Sequence, residues 1–199
     1  GPDTASLLIN KTALNYSGYY YGDNKIIGFS HTRILGAGVR EGGNFRVFPT
    51  LSDTVQGGTE TPFVRFSHRQ ETAFPGYYAI QLKKPDILAE FTATAHVGVH
   101  RYTFPTGNSP FLRLDVTSAL GDGRCEDGTF HILPETHEIE GTVRYFGSFS
   151  GRYDGLDLFF LARFNQPIRQ QSVWYGDTIQ PGADGAAGTR IGAHLGFAP

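Results

Sequence analysis

One cysteine, Cys125, is all the sequence holds, so no disulfide can close within it. Methionine is absent. Charged residues make up 18% of the chain and nearly cancel, leaving a formal net charge of −2. That balance excludes a strong electrostatic footprint, and with it nucleic-acid binding through phosphates. No apolar run reaches the ~18 residues of a membrane span, no signal peptide stands at the start, and no window carries a helical period. What is plentiful is glycine, phenylalanine and tyrosine, at 26, 16 and 10 residues. A length of 199 residues fits one domain and can bury a sizeable core. The opening Gly-Pro-Asp, in a chain without methionine, is expected of a processed or excised piece of something longer.

The patterning is that of strands. In ILAEFTATAHVGVHRYTF, residues 87 to 104, the odd positions Ile87, Ala89, Phe91, Ala93, Ala95, Val97 and Val99 alternate with Glu90, Thr92, Thr94, His96 and His100. Period two puts one set on a core and the other outside. The run exceeds the usual strand length of about 3–10 residues, so a break is expected near Ala95 to Gly98. HEIEGTVRYFGSF at 137 to 149 sets Ile139, Val143 and Tyr145 against Glu138, Glu140, Thr142 and Arg144. GYYAIQL at 76 to 82 is a short aromatic strand. LDLFFLARF at 156 to 164 is nearly all apolar, as expected of a strand covered on both faces. Gly57-Gly58, Lys84-Pro85-Asp86, Thr106 to Pro110 and Asp127-Gly128 punctuate these runs as turns. PGADGAAGTRIGAH at 181 to 194 is a glycine-rich loop returning to a strand, without the strand–loop–helix context that cradles phosphate. An all-β, two-sheet antiparallel sandwich over residues 1–199 follows.

Candidate chemistry is sparse. In GFSHTRILGAG, residues 28 to 38, Ser30, His31, Thr32 and Arg33 stand directly before Gly36 and Gly38. This is either an edge strand running into a loop or a loop that touches a ligand. Ser30 and His31 are adjacent, so on a strand they point to opposite faces and cannot act as nucleophile and base; no G-x-S-x-G elbow exists. His96 and His100 on one strand face sit about 13 Å apart, beyond the reach of one metal with bonds of about 2 Å. The acidic loop GDGRCEDG at 121 to 128 lacks calcium-loop spacing, having Arg124 at a ligand position. Glu138 and Glu140 lie about 7 Å apart along one face, within the ~6.5–9.5 Å of inverting glycosidase carboxylates, but two strand glutamates are ordinary solubilising residues. Neither has the apolar flanks that would raise a general acid's pKa. Tyr19, Tyr20 and Tyr21, Tyr77 and Tyr78, and Trp174 with Tyr175 offer rings that suit sugar faces or core packing. Asn10 and Asn15 head sequons and are glycan acceptors if the source is a eukaryotic secreted protein. The composition suits an extracellular or periplasmic protein.

GFSHTRILGAG, FSHRQETAFPGYYAIQL, ILAEFTATAHVGVHRYTFP, LFFLARFNQPI and IGAHLGF occur in that order, and over roughly residues 16 to 197 the chain resembles the N-terminal domain of glycoside hydrolase family 92. The resemblance implies a β-sandwich packing on an α/α-barrel, in a calcium-dependent, inverting α-mannosidase. It places the acid, the base and most calcium contacts in the barrel, so this piece would hold no cofactor and be inactive alone. It implies that Ser30, His31, Thr32, Arg33 and Gly36 border the glycan, a mannoside, in the cleft between domains. The family's usual second histidine is here Arg33. The strand that opens the family's sandwich has no counterpart, so an open sheet edge is expected, to be covered by the catalytic domain or another chain. A recruited extracellular module for glycan binding, adhesion or assembly is the alternative, and a free-standing enzyme using Glu138 and Glu140 a third reading.

Overall fold

The computed structural model describes residues 2–4, 19–33, 39, 41–51 and 61–199. Its strands are β1 (Pro2–Thr4), β2 (Lys25–Phe29), β3 (Arg46–Thr50), β4 (Val64–Arg65), β5 (Glu71–Phe74), β6 (Tyr77–Leu82), β7 (Ile87–Ala93) and β8 (Gly98–Thr103). They continue with β9 (Phe111–Asp115), β10 (Arg124–Leu133), β11 (Glu138–Phe146), β12 (Leu156–Arg163), β13 (Gln170–Tyr175), β14 (Thr178–Pro181), β15 (Gly185–Gly188) and β16 (Ile191–Gly196). Only short 3-10 turns interrupt them among the described residues. Their ladders are antiparallel, as the alternation predicts.

One sheet has the order β1-β2-β3-β9-β16-β13-β14, with β4 also paired to β2. Its counterpart in the sandwich is two sheets rather than one: β12-β11-β10-β15 and β5-β6-β7-β8. Each packs on the large sheet over its own core. Leu114, Val173, Ala193 and Leu195 meet Phe130, Ile132, Ile139 and Val143 in the first. Ile26, Phe29, Phe48 and Val64 meet Ile80, Leu82, Ile87 and Ala89 in the second. Neighbours on β3 serve both, since Val47 packs against the first core and Phe48 belongs to the second. Ile80, Leu82 and Ile87 are fully buried, each contributing about 1.5–3 kcal/mol of burial.

The break expected in the 87–104 run is there, as a hairpin turning at residues 94–97, where the Val97 N–H donates to Thr94 Oγ1 at 3.1 Å. Four other expectations change. Phe91 pairs with His100 across the hairpin. Cross-strand partners share a face, so the inward set becomes His100 and Tyr102, while Val97 and Val99 are exposed. Asp127-Gly128 is a bulge inside β10, with Asp127 at φ 49, rather than a turn between strands. The glycine- and alanine-rich 185–188 stretch is itself a strand, paired with β10. The large sheet's edge at β2 carries β1, in the register Pro2 to Phe29 and Asp3 to Gly28.

Candidate functional site

The Ser30–Arg33 segment leaves β2 and is tied down at almost every residue. Ser30 is buried, and its hydroxyl donates to Asp3 Oδ1 at 3.1 Å. Arg33, its side chain 10% exposed, donates to the same Asp3 oxygen and to Ser30 Oγ at 3.2 Å. Asp3 is fully buried. Burial raises its pKa, against the opposing pull of Arg33, Arg46 and the Ser30 hydroxyl. Its Oδ2 has no hydrogen-bond partner among the described residues.

Thr32 faces the returning chain. Its hydroxyl donates to Asn44 Oδ1 at 2.8 Å and accepts the Asn44 N–H at 2.9 Å. Asn44 Nδ2 in turn donates to the Ser118 carbonyl at 2.8 Å. The Gly42 N–H donates to the Tyr145 hydroxyl at 2.8 Å. Glu41 accepts the backbone N–H groups of Phe149 and Ser150 at 3.0 and 3.1 Å. Burial alone would raise the Glu41 pKa; the Ser150 hydroxyl and backbone N–H groups outweigh it and hold the carboxyl low. Gly36 lies outside the described residues, as do Asn10 and Asn15.

His31 alone of the four keeps an exposed position. Its ring lies flat on that of His100, 4.7 Å between centres and 8° between planes. Gly98 makes room for it: a Cβ there would stand 2.2 Å from His31 Cε1. His100 shares a 2.8 Å hydrogen bond with the Tyr102 hydroxyl and meets Phe91 edge-on at 4.7 Å. Burial, and then the neighbouring His31, push His100 down to about 3; burial likewise lowers His31. Both rings are therefore neutral near pH 7, each with one donor and one acceptor nitrogen.

Ser30 points inward and His31 outward, the opposition expected of neighbours on a strand. His96 is exposed in the hairpin turn while His100 turns inward, so the two do not share a face. Glu138 is buried and paired with Arg163 at 2.5 Å, while Glu140 is exposed. Hydrogen bonds from Thr136 and Arg163 hold Glu138 low, opposite to what a general acid needs. Among the tyrosines, Tyr19 and Tyr78 donate to Glu71 at 2.9 and 2.6 Å, and Tyr21 stacks on His68 with ring centres 4.1 Å apart. Trp174 is buried beneath the Arg113 guanidinium. No group of three or more His, Cys, Asp or Glu is arranged for a metal among the described residues. Nothing in the sequence marks Asp3, Asn44 and His100 as partners of this segment. The Gly42-Gly43 pair was the available signal, marking where the chain must pass close to itself.

The class defined by this architecture is an antiparallel β-sandwich domain with a buttressed loop on its surface. The chain belongs to a known family: the glycosyl hydrolase family 92 N-terminal domain model matches residues 1–199. It is 26% identical over 147 residues, 68% of this chain and 19% of the relative, to an uncharacterized secreted glycosidase of Arthroderma benhamiae. A family GH92 α-mannosidase from Bacteroides thetaiotaomicron superposes with a TM-score of 0.85 at 23% identity, over 100% of this chain and 27% of that one. A family GH92 inverting mannosidase from the same organism gives 0.76 at 24%, over 100% and 25%. A GH92 family glycosyl hydrolase gives 0.79 at 30%, over 100% and 26%. The chain thus spans about a quarter of the solved relatives' length.

Proposed function

We propose that residues 1–199 form the non-catalytic β-sandwich domain of a secreted family 92 α-mannosidase, and that the Ser30–Arg33 segment with Gly36 walls its glycan-binding cleft. The family match across the whole chain carries the reading. The site supports it physically. A neutral imidazole can donate to one sugar hydroxyl and accept from another. His31 offers one at the surface, and Ser30, Thr32 and Arg33 hold the backbone beneath it. Rigid support of this kind lowers the ordering cost of binding.

Catalysis belongs elsewhere in this reading. Glu41, Glu71, Glu90 and Glu138 are each engaged in hydrogen bonds, Glu90 with Arg101 and Tyr77 at 2.5 and 2.7 Å. The calcium that the family implies is assigned to the catalytic domain, and glycans at Asn10 and Asn15 would accompany secretion.

The test is α-mannoside hydrolysis by the full-length parent protein beside the isolated 1–199 chain. The parent should hydrolyse and the isolated chain should not. His31→Ala in the parent should raise KM by about tenfold, the worth of one good hydrogen bond. A parent without mannosidase activity, whose 1–199 region binds mannoside alone, would replace this reading with that of a recruited glycan-binding module.

A further inference from the structure

β12 departs from the pattern of an ordinary half-solvated strand. Leu158, Phe160 and Ala162 pack on the first core, leaving Asp157, Phe159, Leu161 and Arg163 facing outward. The outward positions should read polar, yet Phe159 is 77% and Leu161 58% exposed. This corrects the expectation of a strand covered on both faces. β12 also ends its sheet, with β11 as its one strand partner among the described residues. It is the longest of the strands in that position, eight residues against six in β8 and three or four in β1, β5, β14 and β15. Its register with β11 runs unbroken from Leu156 to Arg163, and it has no proline, glycine or bulge to blunt the edge. A row of backbone N–H and C=O groups is left for another strand.

The sequence of β12 complements itself when reversed. Opposed residues in an antiparallel pair share a face, so two copies of one strand can meet only in registers centred on a single residue. Centring on Phe160 sets Phe159 opposite Leu161, Leu158 opposite Ala162 and Asp157 opposite Arg163, each twice. Centring on Phe159 instead sets Asp157 against Leu161, and centring on Leu161 sets Phe159 against Arg163. The Phe160 register alone among these matches apolar with apolar and charge with opposite charge. β11 extends the match. Arg144 pairs with Asp157 at 3.5 Å and Glu138 with Arg163 at 2.5 Å, while Thr142 stands beside Phe159 and the exposed Glu140 beside Leu161. Across the junction, one outward row reads Arg144, Asp157, Arg163, Glu138, with alternating sign. The next reads Thr142, Phe159, Leu161, Glu140, so Glu140 lies at the rim and the apolar pair in the middle. Asp157 and Arg163 are both largely exposed in a single copy, free to reach over the edge.

We propose that this edge pairs with a second copy of the chain, β12 against β12, antiparallel about a two-fold axis at Phe160. The two four-stranded sheets then join into one of eight. The contact is isologous: each copy presents the same patch, and every pair occurs twice. Two phenylalanines and two leucines form its outward centre, with an alternating row of charge on either side. The inference stands on β12 and β11 themselves and does not depend on the mannosidase reading.

Sedimentation velocity of the full-length parent over about 1–100 μM should show a monomer–dimer equilibrium. Phe159→Lys should raise its Kd by at least about tenfold, with the urea midpoint unchanged because Phe159 is exposed in a single copy. Cysteine pairs read the register. Phe159→Cys with Leu161→Cys sets thiols directly opposite across the junction, with Cβ atoms about 4.5–5.5 Å apart, close to disulfide reach. Mild oxidation should convert this variant into a reducible dimer. Asp157→Cys with Leu161→Cys, opposed only in the register centred on Phe159, should cross-link at least about tenfold more slowly. A parent that stays monomeric throughout the range overturns the proposal without relying on any variant, as does one whose own further chain covers β12. A dimer that Phe159→Lys leaves as tight uses another surface and overturns it too. Equal cross-linking of the two cysteine pairs overturns the register, and with it the charge match on which the pairing rests.

Discussion

His31 and His100 lie ring on ring, one at the end of β2 and the other on β8, and the contact joins the candidate loop to the second core. It also sets a pH dependence. Folded His100 titrates at about 3, whereas an unfolded histidine titrates near ~6.5. Between those values the unfolded chain binds the proton and the folded chain does not. Stability from this group is therefore full above pH ~6.5 and falls as pH drops towards 3, with a slope approaching ~1.4 kcal/mol per pH unit. The urea midpoint should be lower at pH 5 than at pH 7. His100→Phe should flatten that difference, and comparing the two proteins cancels the other titrating groups. An identical pH profile in the variant would remove His100 from the account.

Local alternation made much of the fold legible. Ile139, Val143 and Tyr145 are buried on β11, and Ile87, Ala89 and Phe91 on β7, as their spacing requires. What escaped was set by geometry with no local signature. The turn at 94–97 changed which parity faced inward, so Val99 came out and His100 went in. β15 has only glycine and alanine, which carry no alternation to read. β12 looks like a doubly covered strand in composition, because its exposed Phe159 and Leu161 are of the same apolar types that a core uses. In the candidate site, the polar cluster was visible but its orientation was not. Asp3 lies far from Ser30 and Arg33 in sequence, and nothing local announces that a buried carboxylate will claim both.

That carboxylate makes Arg33 a structural residue whatever else it touches. Arg33→Ala leaves Asp3 buried without its main counter-charge, and breaking a buried pair costs about 3–5 kcal/mol. Asp3→Asn with Arg33→Ala should cost clearly less than Arg33→Ala alone, because the stranded charge is gone. Denaturant unfolding of the three proteins decides it. A double variant as unstable as the single would mean that Arg33 acts through packing rather than charge.

Cys125 is buried beside Asn44 and Ser118, with the Asn44 amide 3.3 Å from its sulfur. Burial pushes the thiol up to about 12, so the reactive thiolate is scarce at neutral pH. Alkylation of the native protein at pH 7.5 (roughly one unit below a free thiol's pKa) should be negligible over a time in which the urea-unfolded chain reacts fully. Rapid native labelling would show that the Asn44–Ser118–Cys125 contact opens, and with it the base of the candidate loop.

Among the described residues, Gly42 is where the returning arm of that loop meets the outgoing one. Arg33 and Gly42 form an isolated bridge, and the Gly43 N–H donates to the Thr32 carbonyl at 2.5 Å. Gly42 sits at φ +90, and a Cβ there would stand 1.8 Å from Thr32 O. Any side chain must therefore adopt an unfavourable backbone conformation and also force the two arms apart. Gly42→Ala should cost about 3 kcal/mol or more, combining backbone strain with a clash against main chain. Gly107, at a similar φ of +79 but with open space around its Cβ position, supplies the control. Gly107→Ala carries the strain without the clash and should cost about 1–2 kcal/mol. Separation of the arms should also loosen the His31–His100 stack, raising the His100 pKa in an NMR titration. A Gly42→Ala protein as stable as Gly107→Ala, with His100 still titrating low, would mean that the arms are not locked and that the surface position of His31 depends on something other than this crossing.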